Sequence, residues 1–192
     1  MPEIRRRQAL GWGASLLALS MTAMTHNLLA ATPASPAPPA ELGTALPGAR
    51  LVGTGVLRFF GLRVYEARLW ASAGFNPLDY ARQPFALELV YDRKLEGEAI
   101  AERSIAEMRR VAPFSEDQGR QWLRMMKQAF PDVVAQDRLL GLNDGAGKVV
   151  FLHNGRETAA IDDALYARLF FGIWLSEQTS APALRAALLG QG

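Results

Sequence analysis

Cysteine is absent from all 192 residues, and histidine occurs only as His26 and His153. Without cysteine there are no disulfides, no thiol catalysis and no thiolate metal sites. Lipoprotein anchoring is excluded too, because the acylated residue would be a Cys. A chain without disulfides must fold on its core alone, which about 150 residues can supply. His26 lies in a leader-like segment, so His153 alone remains for acid–base or metal chemistry, and its place beside a hairpin turn reads as a strand end. HExxH, a nucleophile elbow and a P-loop are all missing. No metal and no cofactor are expected.

Excess charge is missing as well. The chain has 21 basic and 19 acidic residues; setting aside the three arginines and one glutamate of residues 1–31 leaves 18 of each. No basic stripe interleaved with aromatics occurs, so nucleic acid is not an expected partner. Nor is there an apolar run long enough for a membrane span, which needs roughly 20 residues. The longest, Ala9 to about Ala23, ends before Thr25-His26-Asn27. It follows Glu3 and Arg5–Arg7 and precedes Ala30 and Ala31, the pattern of a secretory signal. Arg6-Arg7-Gln8-Ala9-Leu10 also loosely fits a twin-arginine signal, with Ala where an aromatic is usual. Residues 1–31 are therefore expected to be a cleaved signal peptide. The mature protein is expected in the periplasm, reached by the general secretory or the twin-arginine route, with no stable membrane anchor. Residues 32–40, TPASPAPPA, read as a Pro/Ala-rich linker, and 41–192 as one domain.

Hydropathy patterning organises that domain. Arg50 to Phe59 and Leu62 to Ser72 flank Gly61 and predict a hairpin. Phe85 to Tyr91, FALELVY, alternates as a half-buried strand. Ala101, Ile105, Met108 and Ala112 recur at helical spacing, and Pro113 ends that helix. Ser115 and Gln118 form a capping-box pattern for a second helix, whose stripe is Trp122, Met125, Met126, Ala129 and Phe130. Strands resume at Asp137 to Leu142 and Lys148 to His153; Asn154-Gly155 then turns the chain into Arg156 to Ile161. Asp162 or Asp163 caps a helix through Leu175 that is apolar nearly all round, hence buried. A short helix from Ser180 to Leu189 stops at Gly190. Strands in hairpins and helices in blocks predict an α+β fold, a large antiparallel sheet with helices layered on one face.

Candidate chemistry is sparse. Gly53-Thr54-Gly55 lies within a strand, where it reads as a bulge or a close backbone approach rather than a phosphate loop. Asp162-Asp163 is explained by capping. The unusual stretch is GTGVLRFFGLRVYEARLW, residues 53–70, an apolar hairpin with charge in its middle. Alternation puts Arg63, Tyr65, Ala67 and Leu69 on one face and Val64, Glu66, Arg68 and Trp70 on the other. Glu66 and Arg68 are expected on a solvated face. Tyr65 then faces the core, where its hydroxyl needs a partner, and Arg63 stands at the rim of whatever the sheet and helices enclose.

These residues resemble the first hairpin of the chalcone isomerase-like family, with its G-x-G segment, aromatic run and K/R-V-Y-x-A-x-L-Y/W strand. The resemblance continues through LELVYDRKLEGEAIAERSIAEMRR (87–110), FPDV (130–133), DRLLGLNDGAGKVVFLHNG (137–155) and ARLFFGIWLSEQTSAPALRAALLG (167–190). It implies an antiparallel sheet under helices with a ligand cleft between them. It also implies two functions: ring closure of a chalcone, assisted by an Arg and hydroxyl groups, or fatty-acid binding, with an Arg and a Tyr on the carboxylate. The family Arg falls on Leu57. Arg58, next door, is expected on the opposite face. The isomerase Thr falls on Tyr65, as in the fatty-acid-binding relatives. The expected function is therefore an exported, non-catalytic protein that binds a small apolar ligand, a fatty acid or other carboxylate, through Tyr65 and Arg63. Leu87, Leu89, Trp122, Phe151 and Phe171 are expected as lining or core. The alternatives are an isomerase of the intramolecular lyase type, in which Tyr65 would be catalytic, and a periplasmic protein-interaction module using the face around Glu66 and Arg68.

Overall fold

A computed structural model describes residues 36–191. The expected signal peptide, 1–31, and the first part of the linker lie outside the described residues. Among those described, no helix is long and apolar enough to cross a membrane.

Six strands form one antiparallel sheet in the order of the chain: β1 (Arg50–Phe59), β2 (Leu62–Ala71), β3 (Phe85–Tyr91), β4 (Arg138–Asn143), β5 (Lys148–His153) and β6 (Arg156–Asp162). Strand alternation makes one sheet face nearly continuous apolar surface. Tyr65 pairs with Tyr91, Ala67 with Leu89, Leu69 with Leu87, Leu87 with Gly141 and Gly141 with Phe151. The helices cover this face: α2 (Gly97–Val111), α3 (Glu116–Ala129), α4 (Ala164–Leu175) and α5 (Pro182–Leu188). Their starts and stops follow from the sequence. Ser115 and Gln118 make the expected reciprocal capping box on α3, and Asp163 accepts from the backbone N–H groups of Leu165 and Tyr166 to cap α4. Tyr166, Leu169, Phe170, Phe171, Trp174 and Leu175 of α4 are all buried; each large apolar side chain contributes on the order of 1.5–3 kcal/mol by leaving water.

Gly53 and Gly55 hold α5 against β1. A Cβ on Gly53 would stand 2.2 Å from the Ala187 carbonyl oxygen and 2.5 Å from that of Leu188, and one on Gly55 would meet Leu184 Cδ1 at 2.7 Å. Only a residue without a side chain permits this approach. The pairing of β1 with β2 also slips between Leu51 and Gly53. Bulge and close approach are both present.

The opposite sheet face is not simply wet. A short helix, α1 (Leu42–Ala45), and the residues after it bring Leu42, Leu46 and Ala49 onto Trp70, Ala86 and Leu140 as a second buried cluster. Glu88, 2% exposed, accepts from Trp70 Nε1 at 2.9 Å and from Arg138 Nη1 at 3.2 Å. Arg68 Nη1 lies 3.7 Å from the same carboxylate, and Arg138 also pairs with Glu41. Glu66 and Arg68 are half-buried and joined at 2.8 Å. The expectation of a solvated face for this pair is corrected. They are the outer end of an ion network that ties α1 to the sheet.

Candidate functional site

At the β1–β2 hairpin end of the molecule the sheet and helices do not close. Between them lies a cavity of about 570 Å³, within the usual range for small-molecule sites. Its walls are mostly apolar. Leu87 and Leu89 of β3, Phe151 of β5 and Phe171 of α4 line it, four of the five residues the sequence suggested as lining or core. Trp122 is the fifth and lies in the core, its indole Nε1 donating to Asp163 Oδ2 at 2.9 Å.

Tyr65 is one of a few polar groups on this wall, and it is 9% exposed. Its hydroxyl accepts from Trp174 Nε1 at 2.9 Å. That bond uses a lone pair and leaves the phenol's own O–H as a donor with no protein acceptor among the described residues. Tyr91 stands directly opposite on β3, ring centroids 5.7 Å apart at 74°. It too lines the cavity, and its hydroxyl makes no hydrogen bond to any described residue. Burial raises the pKa of Tyr65, and the Glu107 charge adds to this against the opposing effects of Trp174 and Arg103. Burial raises Tyr91 as well, with Tyr65 adding to it. Both phenols therefore stay protonated at neutral pH. Chemically the pair is a neutral double hydrogen-bond donor.

Charge is placed around this pair by α2. Glu107, its side chain 9% exposed, is 2.5 Å from Arg103 and 3.6 Å from Arg110. At the Tyr65 hydroxyl the Glu107 carboxylate outweighs Arg103; over the cavity as a whole Arg58, Arg93 and Arg103 stand against Glu107 alone. Ser104 also lines the cavity, but its hydroxyl is committed to the Ile100 carbonyl at 2.8 Å.

Arg63 is placed elsewhere. Its Nε donates to Asp92 Oδ2 at 3.0 Å, its side chain is 42% exposed, and it is not among the cavity-lining residues. Arg58 is the reverse case. Simple alternation sends it away from Leu57's face, yet both line the cavity together with Phe59. The reason is a bulge: Leu57 pairs with Tyr65 but Arg58 pairs with Arg63, leaving Val64 between. A bulge of this kind re-aims neighbouring side chains. Tyr91, Trp174, Arg103 and Glu107 were not picked out as site residues. The alternation of FALELVY does place Tyr91 with Leu87 and Leu89, but its pairing with Tyr65 is a register, and register is not local. Among the described residues no group of three or more His, Asp or Glu side chains is placed to hold a metal.

The family model described as chalcone isomerase-like matches residues 47–190. Among solved structures, the crystal structure of a fatty-acid binding protein from Arabidopsis thaliana is similar to this chain. The two share 13% identity with a TM-score of 0.58, over 74% of this chain and 87% of that one. At that identity the likeness concerns the fold. No curated protein matches.

Proposed function

The chain belongs to the chalcone isomerase-like family, and on that premise we propose that it is an exported, non-catalytic binding protein for a small apolar molecule with an acidic headgroup. The observation that carries this reading is the pair of protonated hydroxyls, Tyr65 and Tyr91, on the wall of an otherwise apolar cavity. Two O–H donors without protein acceptors suit an oxygen acceptor on a ligand, and hydrogen bonds to a charged acceptor are the stronger kind. A fatty acid or similar carboxylate fits on three counts. The walls take its chain, the phenols take its oxygens, and three lining cations, Arg58, Arg93 and Arg103, against one lining carboxylate, Glu107, favour an anion. Arg58 and Arg93, which line the cavity with no carboxylate partner among the described residues, supply the charge that Arg63 cannot supply from its bond to Asp92. The plant protein of the same fold is named for fatty-acid binding, which agrees with this class. Phenols held protonated do not act as bases, which favours holding a ligand over turning it over.

Denaturing extraction and mass spectrometry of the protein purified from whole cells test the reading. A stoichiometric acid, and a melting temperature raised by added long-chain fatty acid, are expected. An empty protein whose melting temperature no fatty acid moves would sink it. The mass of the same sample tests export: a chain shortened by about residues 1–31 is expected, and an intact Met1 would refute it.

A further inference from the structure

The described residues have five large apolar side chains exposed to solvent, and three of them stand on one turn: Phe59 (56%), Phe60 (89%) and Leu62 (58%). This is the tip of the β1–β2 hairpin, and it costs the fold something twice over. Phe60 and Gly61 are the two central residues of the turn, at φ 48 and 78. Both lie in the left-handed region, which glycine adopts freely and a bulky L-residue does not. The β5–β6 hairpin meets the same demand with Asn154 and Gly155, at φ 49 and 84, the residue pair best suited to such a turn. At the first hairpin a strained, water-exposed Phe occupies the position where Asn serves elsewhere in the same molecule.

The surroundings say what such a tip meets. Arg58 is on it, bonded only to the Gly61 carbonyl at 3.4 Å. Arg93 and Lys94, exposed on the segment after β3, have no carboxylate partner among the described residues, against one similarly unpaired carboxylate there, Glu96. Arg63 is neutralised by Asp92. Arg58, Phe59, Val64 and Arg93 also line the cavity mouth. Apolar side chains at the apex, cations behind them and an apolar cavity opening between form the two-part signal that binds an anionic bilayer: shallow insertion together with attraction to headgroups. A protein partner would need roughly 800 Å² of complementary surface per side, whereas the exposed apolar atoms here are confined to one turn.

We infer that the β1–β2 tip docks on anionic lipid membranes, inserting Phe59, Phe60 and Leu62 with Arg58, Arg93 and Lys94 on the headgroups, so that an apolar ligand passes between bilayer and cavity without crossing water. Docking of the tip stands apart from cavity binding; the passage of ligand rests on the proposed function.

Vesicle sedimentation of the full chain tests it, with vesicles of phosphatidylcholine alone and with about a quarter phosphatidylglycerol. Two variants accompany the wild type, Phe60→Asn and Arg93→Ser/Lys94→Ser. Residues 1–31 are the same in every variant, so the difference between variants is the readout. The wild type should prefer the anionic vesicles, and added salt should weaken that preference. Phe60→Asn should bind them at least about tenfold more weakly, the loss expected for withdrawing one buried Phe. It should also melt at a higher temperature, because Asn relieves the turn, and a damaged fold would not do that. The double variant should lose the preference for phosphatidylglycerol. Fatty-acid affinity without vesicles should be unchanged by Phe60→Asn, which separates this test from that of the cavity. Equal vesicle binding by wild type and Phe60→Asn overturns the inference. So does a wild-type dimer in analytical ultracentrifugation that Phe60→Asn converts to monomer with no change in vesicle binding, since the tip would then be a self-association face.

Discussion

Replacing Tyr65 by Phe removes one oxygen and nothing else, yet that oxygen makes two separate claims about the molecule. As an acceptor it holds Trp174 Nε1 at 2.9 Å. As a donor it is free for a ligand. The structural part can be sized. A net intramolecular hydrogen bond is worth about 1 kcal/mol, and a buried donor left unpaired costs about 1–3 kcal/mol. Trp174 is 7% exposed and forms part of the cavity wall, so water can reach its N–H and the cost falls at the low end. We expect Tyr65→Phe to lower stability by about 1–2 kcal/mol, roughly 2–8 °C in Tm for a domain of this size. Trp174→Phe in the same background should show a coupling of about 1 kcal/mol, because the double variant leaves no orphaned donor. The functional part is larger. A hydrogen bond to a carboxylate is worth about 1.5–3 kcal/mol, so fatty-acid affinity should fall roughly 10- to 150-fold. Urea denaturation and isothermal titration of the same preparations give both numbers. If stability falls as stated while affinity is unchanged, Tyr65 is a core tyrosine tied to Trp174 and the proposed headgroup site is wrong.

Three further outcomes follow from other parts of the structure. The chain has four tyrosines, and burial raises the pKa of each, that of Tyr80 to about 12. Groups raised on folding contribute stability that is whole below their unfolded value of about 10 and is lost as pH rises through the folded values. Phenolate absorbance should therefore stay absent near pH 10 and appear only as alkali unfolds the chain; a normal titration of two or more tyrosines in the folded protein would contradict the burial. Gly53→Ala places a methyl against two backbone carbonyls of α5, which should cost about 2–3 kcal/mol in urea and strip amide protection from Pro182–Leu188 first; a change within about 0.5 kcal/mol would show that α5 is not seated as described. Glu88→Ala leaves the Trp70 indole N–H and two arginines without their shared carboxylate. Both arginines are partly exposed and can turn to water, so the expected loss is about 2–4 kcal/mol; stability unchanged in urea would mean that the network is ornamental.

Most of the fold was legible because its signals are local. The period of FALELVY, the capping box at Ser115, the Asn154-Gly155 turn and the all-round apolar α4 each act within a dozen residues, and each element appears where the sequence placed it; FALELVY, expected half-buried, is buried on both faces because α1 and the residues after it cover the second. The short helix α1 and the 3₁₀ helix at Pro77–Arg82 carry no such local signal. Neither has a periodic stripe long enough to see. The second is held from a distance, by Asn143 Nδ2 donating to carbonyls that include Gln83's at 2.9 Å and by the Tyr80 hydroxyl donating to the Arg168 carbonyl at 2.8 Å.

By itself the sequence determined the α+β class, the order of the elements, the inward face of Tyr65 and the absence of thiol chemistry, because period, caps, turns and composition are properties of neighbouring residues. Only the tertiary structure decided which polar groups share the cavity. The bulge at Val64 turned Arg58 toward the mouth, Asp92 took Arg63 out of it, and strand register set Tyr91 against Tyr65. The last two depend on contacts between residues far apart in the chain, and the first on a shift of register that alternation alone does not show; a one-residue slip in register moves every side chain of a strand to the other face.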